Sequence, residues 1–544
     1  MLTGTDSLAF LLAAPSAAEK LIDAFFDDTF AGVHSLALFD YLILVPYFLM
    51  LTVLSFYGCH RFAMIRGYFK GLKNMPKEPA RRFTELPKVT IQLPLFNERF
   101  VVERLLESAV KVRYPEGLLQ IQVLDDSTDD TAAFTEDLCA SYVERGFNLE
   151  YRHRKNRGGY KAGALQAGIP TATGELIAIF DADFVIPEDF LENTVHYFTE
   201  EKVGVVQTRW SYLNRHFNLL TEVQTMLLDG HFILEHGARA GTGLFFNFNG
   251  TAGIMRKEMI EDAGGWQHDT LTEDSDLSYR AQLKGWRFVY LPHVHCPSEL
   301  PVETYSFQVQ QSRWAKGLTQ CAIKLLRKIL ATDLPWRTKM EAFCHLTPNI
   351  SYPLMIVVSL LMLPVMIVRF YMGPLEMLLF DFPLIIANFV SLTAFYLIAQ
   401  RELDPKGWKR TIWFMPALMA AGVALTISNT KAVIEALMGV KTSFARTAKY
   451  NLSDNKKVKV DQAEYRRSSG WLPFLEIGMG TAFAGIVYYC VESLNLLSIP
   501  FLMIFLCGYY WAGVSTLWQE YQGLLHFKAA TKAALEAAPQ QLNR

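Results

Sequence analysis

ELIAIFDAD (175–183) carries an apolar run straight into two aspartates, and its reading decides the fold. The run reads as a buried strand. Side chains alternate along an extended chain, so Asp181 and Asp183 fall on the same side of it. Outward in both directions, VTIQLPL (89–95), IQVLDD (121–126) and VGVVQT (203–208) have the same strand character, bounded by turn or acidic residues. Between the first two, ERFVVERLLESAV (98–110) spaces its apolar residues as a helix does. Strands alternating with helices imply an α/β domain with a mostly parallel sheet. Ligands bind such sheets beyond the carboxyl ends of the strands. Two strands here end in carboxylates, at Asp125–Asp126 and at Asp181 and Asp183, so the site is expected at that edge.

The chain has 544 residues, of which 51% are hydrophobic and only 19% charged. This excludes a disordered protein and argues against a wholly soluble one. A net charge of −2 provides no basic field for nucleic acid. The seven cysteines (Cys59, Cys139, Cys296, Cys321, Cys344, Cys490, Cys507) include no C-x-x-C pair, which excludes a cysteine zinc module and a dense disulfide framework. The apolar residues are segregated. Tyr41–Tyr57, Ile350–Val368, Met377–Ala399, Trp471–Val491 and Leu496–Trp518 each approach the roughly 20 apolar residues of a membrane-crossing helix. Tyr57, Trp471, Tyr488 and Trp518 suit an interfacial belt. The acidic stretch Met1–Phe30 has no Lys or Arg ahead of its apolar residues and reads as an interfacial or outside tail, not a signal peptide. Arg61, Arg66, Lys70, Lys73, Lys77, Arg81 and Arg82 assign the side after the first span, and the block from about Cys59 to Phe307, to the cytosol. A hairpin turning at Met372–Gly373–Pro374 brings Arg401, Lys406, Lys409 and Arg410 back inside. Thr411–Val440 is long enough to cross once more. A crossing would put Lys449, Lys456, Lys457 and Lys459 outside, so an in-plane or re-entrant course is preferred, and it leaves Lys528 and Lys532 cytosolic.

Several motifs carry chemistry, and each has a plainer alternative. Asp181-x-Asp183 offers two hard oxygen ligands of the kind that holds Mg²⁺ or Mn²⁺ together with substrate phosphates; it is otherwise a solvated strand end. Asp125–Asp126 suits the base or ribose of a nucleotide, or Asp126 and Ser127 cap a helix. The loop RGGYKAG (157–163) brings backbone N–H groups and Lys161 towards a phosphate, or is a basic surface turn. Thr272–Glu273–Asp274 supplies either favourable first-turn acids or a general base for an attacking hydroxyl. Gln310–Gln311–Ser312–Arg313–Trp314 opens a helix whose later residues Lys316, Lys324, Arg327 and Lys328 suit a membrane surface. Its first turn pairs an arginine fork with an indole, which fits a diphosphate leaving group and a sugar face.

DDS (125–127), DAD (181–183), TED (272–274) and QQSRW (310–314) stand in this order over about residues 89–330. Together they resemble the signature of the membrane-embedded, processive, inverting glycosyltransferases of glycosyltransferase family 2. These are the cellulose synthases, hyaluronan synthases and cellulose-synthase-like enzymes, whose catalytic domain has the GT-A, Rossmann-like fold. GGYKAGAL (158–165), VVQTRWSYLN (205–214), FNFNGTAG (246–253), TEDSDLSYRAQLKGW (272–286) and SELPV (298–302) are most similar to the plant mannan and glucan synthases of the A and C groups. The resemblance implies site roles. Asp274 is the base. Asp181 and Asp183 hold the metal, Mg²⁺ or Mn²⁺. Asp125, Asp126, Lys161, Gln310, Arg313 and Trp314 bind the nucleotide sugar. Phe248, Asn249, Gly250 and Thr251, with Trp314, bind the acceptor. Phe444, Thr447 and Lys449 match a gating loop, with Arg446 departing from the pattern's valine. About 25 residues follow the last span, too few for a cyclic-dinucleotide domain, and no cysteine-rich domain precedes the first.

The division expected is an N-terminal segment and first span (1–58), the cytosolic GT-A domain (59–309), amphipathic interface helices (310–345), a transmembrane hairpin (346–400), the in-plane segment and gating-like loop (401–470), a second hairpin (471–519) and a cytosolic tail (520–544). The function implied is processive transfer of a hexose from a nucleotide sugar onto a growing β-linked polysaccharide. UDP-glucose giving a β-1,4-glucan is the first expectation, and GDP-mannose giving a mannan or glucomannan the second. A single transfer onto a lipid is a third. The membrane is the bacterial inner or plasma membrane, or the Golgi if the chain is plant-like. A transporter is the competing class; Asp40, Arg369, Asp381 and Glu476 lie in or beside the spans, but no inverted repeat supports it.

Overall fold

A computed structural model describes residues 35–369, 383–442, 447, 449–454, 469–493 and 495–541. The tail Met1–Phe30, the turn at Met372–Gly373–Pro374, Asp381, Phe444, Arg446, Lys456, Lys457, Lys459 and the side chains of Lys528 and Lys532 lie outside the described residues.

Helix α1 (Leu38–Gly71) leads into a seven-stranded sheet. β1 (Val89–Leu95) is buried along almost its whole length, with Val89, Ile91 and Leu93 in the core below it. α2 (Val102–Val110) packs Leu105, Leu106 and Ala109 inward and leaves Glu107 at the surface, paired with Lys111 one turn on. β2 (Leu119–Asp125), α3 (Thr131–Glu144), β3 (Leu149–His153), α4 (Tyr160–Gly168) and β4 (Leu176–Ile179) continue the alternation. β1 lies parallel to β2 and β4, and β2 parallel to β3. β5 (Val203–Tyr212), β6 (Gly253–Arg256) and β7 (Arg287–Ser298) complete the order β3-β2-β1-β4-β6-β5-β7. β6 runs antiparallel to both of its neighbours. The sheet is therefore mixed and mostly parallel, the α/β class expected from the alternation. β4 ends at Ile179, so Asp181 and Asp183 leave the sheet at its carboxyl edge.

Between β5 and β6 the chain runs through α5 (Leu219–Asp229), a π turn (Gly230–His236) and α6 (Gly237–Thr242) as one continuous rod. α7 (Glu273–Leu283) precedes β7. α8 (Thr304–Leu330) starts six residues ahead of Gln310, so QQSRW occupies its second and third turns and not a helix start. Helix α9 (Trp336–Leu346) follows, then α10 (Ser351–Arg369), α11 (Ser391–Leu403), α12 (Met415–Ala424), α13 (Thr426–Leu437), α14 (Leu472–Glu492) and α15 (Ile499–Gln541).

Among the described residues six helical stretches are long and apolar enough to cross a membrane: Leu38–Asn74, Pro348–Arg369, Pro383–Leu403, Trp408–Leu437, Leu472–Glu492 and Ile499–Leu525. The chain is a membrane protein. Trp408–Leu437, the stretch left open between crossing and in-plane, has 61% of its apolar window inside the protein, against 22–39% for the other five. The end of the helix before it and its own C-terminal part both touch the catalytic unit. Gln400 Nε2 donates to Asp229 at 2.8 Å, and Lys316 on α8 reaches Glu435 at 2.8 Å and Thr442 at 3.0 Å. The buried carboxylate Glu476 on α14 accepts from Gln308 Nε2 of α8 at 2.8 Å, which ties the spans to the QQSRW helix.

Candidate active site

The site grows from the glycine-rich loop. Gly159 and Tyr160 take left-handed φ values of 76° and 50°, which turns the chain sharply into α4 and points Lys161 across the carboxyl edge of the sheet. Lys161 Nζ lies 2.5 Å from Asp181 Oδ1 and donates to the Gly250 carbonyl at 2.9 Å. Burial alone would depress this ammonium; Asp181, Glu273 and Asp274 outweigh it and hold the group above its ordinary range. Gly250 has φ 80°, and a methyl group on it would lie 2.9 Å from Asp274 Oδ2 and 3.5 Å from Lys161 Nζ. Residues from 161, 181, 250 and 274 thus meet at one point.

Asp274 sits in the first turn of α7, its Oδ1 accepting from Ser275 N at 2.7 Å. The first-turn placement of these acids and their site geometry hold together. Burial, followed by the charge of Glu273, pushes the Asp274 carboxyl up to about 7. Glu273 is itself raised by burial against the opposing effect of Lys161. A carboxyl near neutrality is suited to accept a proton at physiological pH. α8 presses on this turn from behind. Gly317 leaves room for Thr272, whose backbone N would lie 2.7 Å from any methyl there. Gln320 accepts from Leu271 N at 2.9 Å, and Lys324 binds Asp269 and Asp276 at 2.7 and 2.8 Å. Of Gln310, Arg313 and Trp314, all half-buried on α8, Arg313 is the one whose charge acts on both Glu273 and Asp274.

The remaining residues are placed less directly than their expected roles suggest. Asp125 is fully buried: its Oδ1 accepts from Ser127 N, and its Oδ2 from the Tyr151 hydroxyl at 2.8 Å. Asp126 is held bidentately by Arg154 at 2.7 and 2.6 Å. Helix α3 starts at Thr131, so neither Asp126 nor Ser127 caps it. Arg154 also donates to the carbonyls of Gly158 and Tyr160, joining the acidic edge to the glycine loop. Phe248 packs in the core with no exposed surface, which corrects its expected contact with an acceptor. Thr251 is buried too, and its hydroxyl accepts from Asp181 N at 2.9 Å, so it aims the acidic turn from behind. Asn249 is the partly exposed member of that loop.

Asp181 and Asp183 are the carboxylates available to a divalent cation. Each faces a lysine: Lys161 at Asp181, and Lys449 Nζ at 2.6 Å from Asp183 Oδ2. Among the described residues no three His, Cys, Asp or Glu side chains converge as a metal cage. Two hard carboxylate groups without a third protein ligand fit Mg²⁺ or Mn²⁺ completed by substrate phosphates. Of the gating-loop residues, Thr447 is buried, Lys449 also donates to the Glu299 carbonyl at 3.0 Å, and Phe444 lies outside the described residues. Glu299 and Arg104 were not anticipated. Glu299, buried near the start of SELPV just past β7, accepts from Tyr450 N at 2.7 Å and pairs with Arg104 at 3.1 Å, which pins residues 449–451 over Asp183. The signal for Glu299 was present in the SELPV string; Arg104 reads in sequence as a helix-surface residue.

Residues 87–317 match the family model described as glycosyltransferase like family 2. Glucomannan 4-beta-mannosyltransferase 9 of Arabidopsis thaliana is 41% identical over 268 residues, 47% of this chain and 50% of that protein. Glucomannan 4-beta-mannosyltransferase 1 of Cyamopsis tetragonoloba is 40% identical over 259 residues, 47% of this chain and 49% of that one. The chain spans about half the length of the curated relatives it matches. Among solved structures, a mannosyltransferase from Pyrobaculum calidifontis in complex with GDP-Man and Mn²⁺ aligns with a TM-score of 0.46 at 22% identity, over 66% of this chain and 99% of that one.

Proposed function

We propose that this membrane protein, whose residues 87–317 match the family model described as glycosyltransferase like family 2, transfers mannosyl groups from GDP-mannose onto a growing β-linked polysaccharide with inversion at the sugar. The donor first expected, UDP-glucose, finds no support in the relatives, which are named as 4-beta-mannosyltransferases. The observation that carries the reading is the meeting of Lys161, Asp181 and Asp274 at the α-carbon and carbonyl of Gly250. A donor diphosphate at the acidic edge and an acceptor hydroxyl over this loop would lie on either side of Asp274.

In this scheme Asp274 takes the proton of the acceptor hydroxyl as its oxygen attacks the anomeric carbon, and the bond to the diphosphate breaks on the opposite face. Lys161 and Arg313 offset the charge that grows on the leaving group. Trp314 offers an indole face to the acceptor sugar. Asp181 and Asp183 would hold a divalent cation that supplies further electrostatic stabilisation of the diphosphate. The positive charge after α1 supports a cytosolic catalytic domain. The contacts of Gln400 ahead of 408–437, and of Glu435 and Thr442 at its end, with the catalytic unit support an in-plane or re-entrant course for that segment.

The test uses purified chain in detergent with Mn²⁺ or Mg²⁺. Radiolabelled GDP-mannose and UDP-glucose are offered separately, and the product is sized and digested with linkage-specific glycanases. A long product from GDP-mannose, cut by a β-mannanase, is expected. Label only in organic-soluble lipid, or polymer only from UDP-glucose, overturns the reading.

A further inference from the structure

We infer that His231 and Glu235 are positioning residues for the acceptor loop, and that they decide how much donor sugar reaches polymer instead of water. This rests on the glycosyltransferase reading above. His231 stands on the π turn Gly230–His236, which interrupts the rod between α5 and α6. Such turns are rare and re-aim the side chains that follow them. Here the turn brings His231 and His236 onto one amide. His231 Nε2 lies 3.1 Å from Asn249 Oδ1, and Asn249 Nδ2 lies 3.0 Å from His236 Nε2, a nitrogen that is also 3.0 Å from the Asn247 carbonyl oxygen. Asn247 Nδ2 also donates to Asn249 Oδ1, at 3.0 Å. Asn249 is therefore held at its amide oxygen by His231 and Asn247, with His236 against its amide nitrogen. The next residue is Gly250, whose carbonyl receives Lys161 and whose α-carbon faces Asp274. A turn of Asn249 displaces the floor on which base and donor lysine meet.

The other side of His231 belongs to a buried ionic chain. His231 Nδ1 lies 2.9 Å from Glu235 Oε2, and Glu235 lies 3.5 Å from Arg239. Arg239 Nε donates to Glu341 Oε1 at 2.8 Å, and Glu341 Oε2 lies 2.7 Å from His60 Nε2 on α1. Burial would raise both carboxyls. Arg239 outweighs it, aided by His231 at Glu235 and by His60 at Glu341, and both stay below the usual carboxylate range. A desolvated chain of this kind rarely improves stability over apolar packing; its use is to fix one arrangement. This one is sealed at the membrane end, where Arg239 and Glu341 are 2% and 5% exposed. It opens at the acceptor end, where His231 and Glu235 are 27% and 33% exposed. The arrangement it fixes is that of Asn249.

A loosened floor admits water in place of the acceptor hydroxyl. Water oxygen then bonds to the anomeric carbon, the bond to the diphosphate breaks, and the water proton passes to Asp274, which yields free sugar and nucleoside diphosphate. The experiment measures free sugar, polymer and released nucleotide from full-length protein with Mn²⁺. GDP-mannose and UDP-glucose are run side by side, so a wrong donor shows in the wild type before any variant is compared. His231→Ala and Glu235→Gln should each raise the ratio of free sugar to polymer by about tenfold, the size of one lost charge-assisted hydrogen bond. Nucleotide affinity should stay within about twofold of wild type. His231→Gln keeps an N–H for Asn249 and should recover most of the partition. An unchanged ratio in His231→Ala overturns the inference. So does a loss of nucleotide binding in step with polymer, or a His231→Gln variant no better than His231→Ala.

Discussion

Asp274→Asn should make the protein more stable at about pH 8 and nearly inactive. Burial and Glu273 raise the carboxyl from 3.8 to about 7. At ~1.4 kcal/mol per pH unit, the folded protein disfavours the ionised form by ~4 kcal/mol. Glu273 titrates in the same pocket, so this figure is the ceiling on what one substitution recovers. Below about pH 4 the folded and unfolded chains both hold the proton and Asp274 costs nothing. From about pH 4 to about pH 7 only the folded chain holds it, so stability falls as pH rises, and above about pH 7 the full penalty is in place. An asparagine has no proton to lose. Its advantage is absent near pH 4, grows through the interval and is greatest near pH 8. Thermal unfolding in detergent at about pH 5 and about pH 8 reads this difference. Transfer by the variant should fall by about 10²–10⁴, with nucleotide affinity nearly intact. Wild-type transfer should rise with pH through an apparent pKa of about 7. An Asn variant no more stable than wild type at about pH 8, or one that transfers within about tenfold of it, refutes the assignment of a buried, strained base.

Three further outcomes follow from contacts around the site. Gly250→Ala puts a methyl 2.9 Å from Asp274 Oδ2 at a φ of 80°; transfer should fall about tenfold or more while nucleotide inhibition persists, and wild-type rates would show the loop is not the floor of the site. Lys449→Met removes the ammonium 2.6 Å from Asp183; half-saturation by Mn²⁺, read by spin-label-free EPR in the absence of donor, should drop severalfold, and an unchanged value would mean that the lysine does not compete for that carboxylate. Gln308→Leu leaves the Glu476 carboxyl, 2% exposed on α14, without its amide partner; it should lose about 1–3 kcal/mol of stability, and Glu476→Leu in the same chain should restore part of it if the loss comes from that orphaned group.

The acidic edge was legible because strand burial and strand ending are both local signals. An apolar run that stops at Asp181 announces its own terminus, and the strand VTIQLPL matches β1 residue for residue. Short β6 was missed because Gly253–Arg256 has four residues and no alternation to read. The start of α8 was placed too late because its N-cap, Glu303, makes no side-chain capping bond and so leaves no sequence mark. Asp126 looked available to a ligand because its partner, Arg154, lies just past the end of the neighbouring strand β3; the parallel register that sets Asp125 beside His153 brings it there, and spacing along the chain does not reveal it.

The least legible contacts are those that join the membrane unit to the chemistry. Lys449 reaches Asp183 across 266 positions, and His60 reaches Glu341 across 281. Neither follows from a period or a motif, since each exists only after the spans have packed. Their chemistry still shows why they matter. Lys449 faces Asp183 as Lys161 faces Asp181, so each carboxylate of the edge is already paired with an ammonium. Binding then becomes an exchange of partners instead of the creation of charge in a buried pocket. The lysine released from Asp183 belongs to the segment that Glu299 and Arg104 hold over the site. On the proposed metal site, donor occupancy and the position of that segment would be linked through this one carboxylate, and Lys449→Met should weaken the link while leaving Asp274, Lys161 and Gly250 where they are.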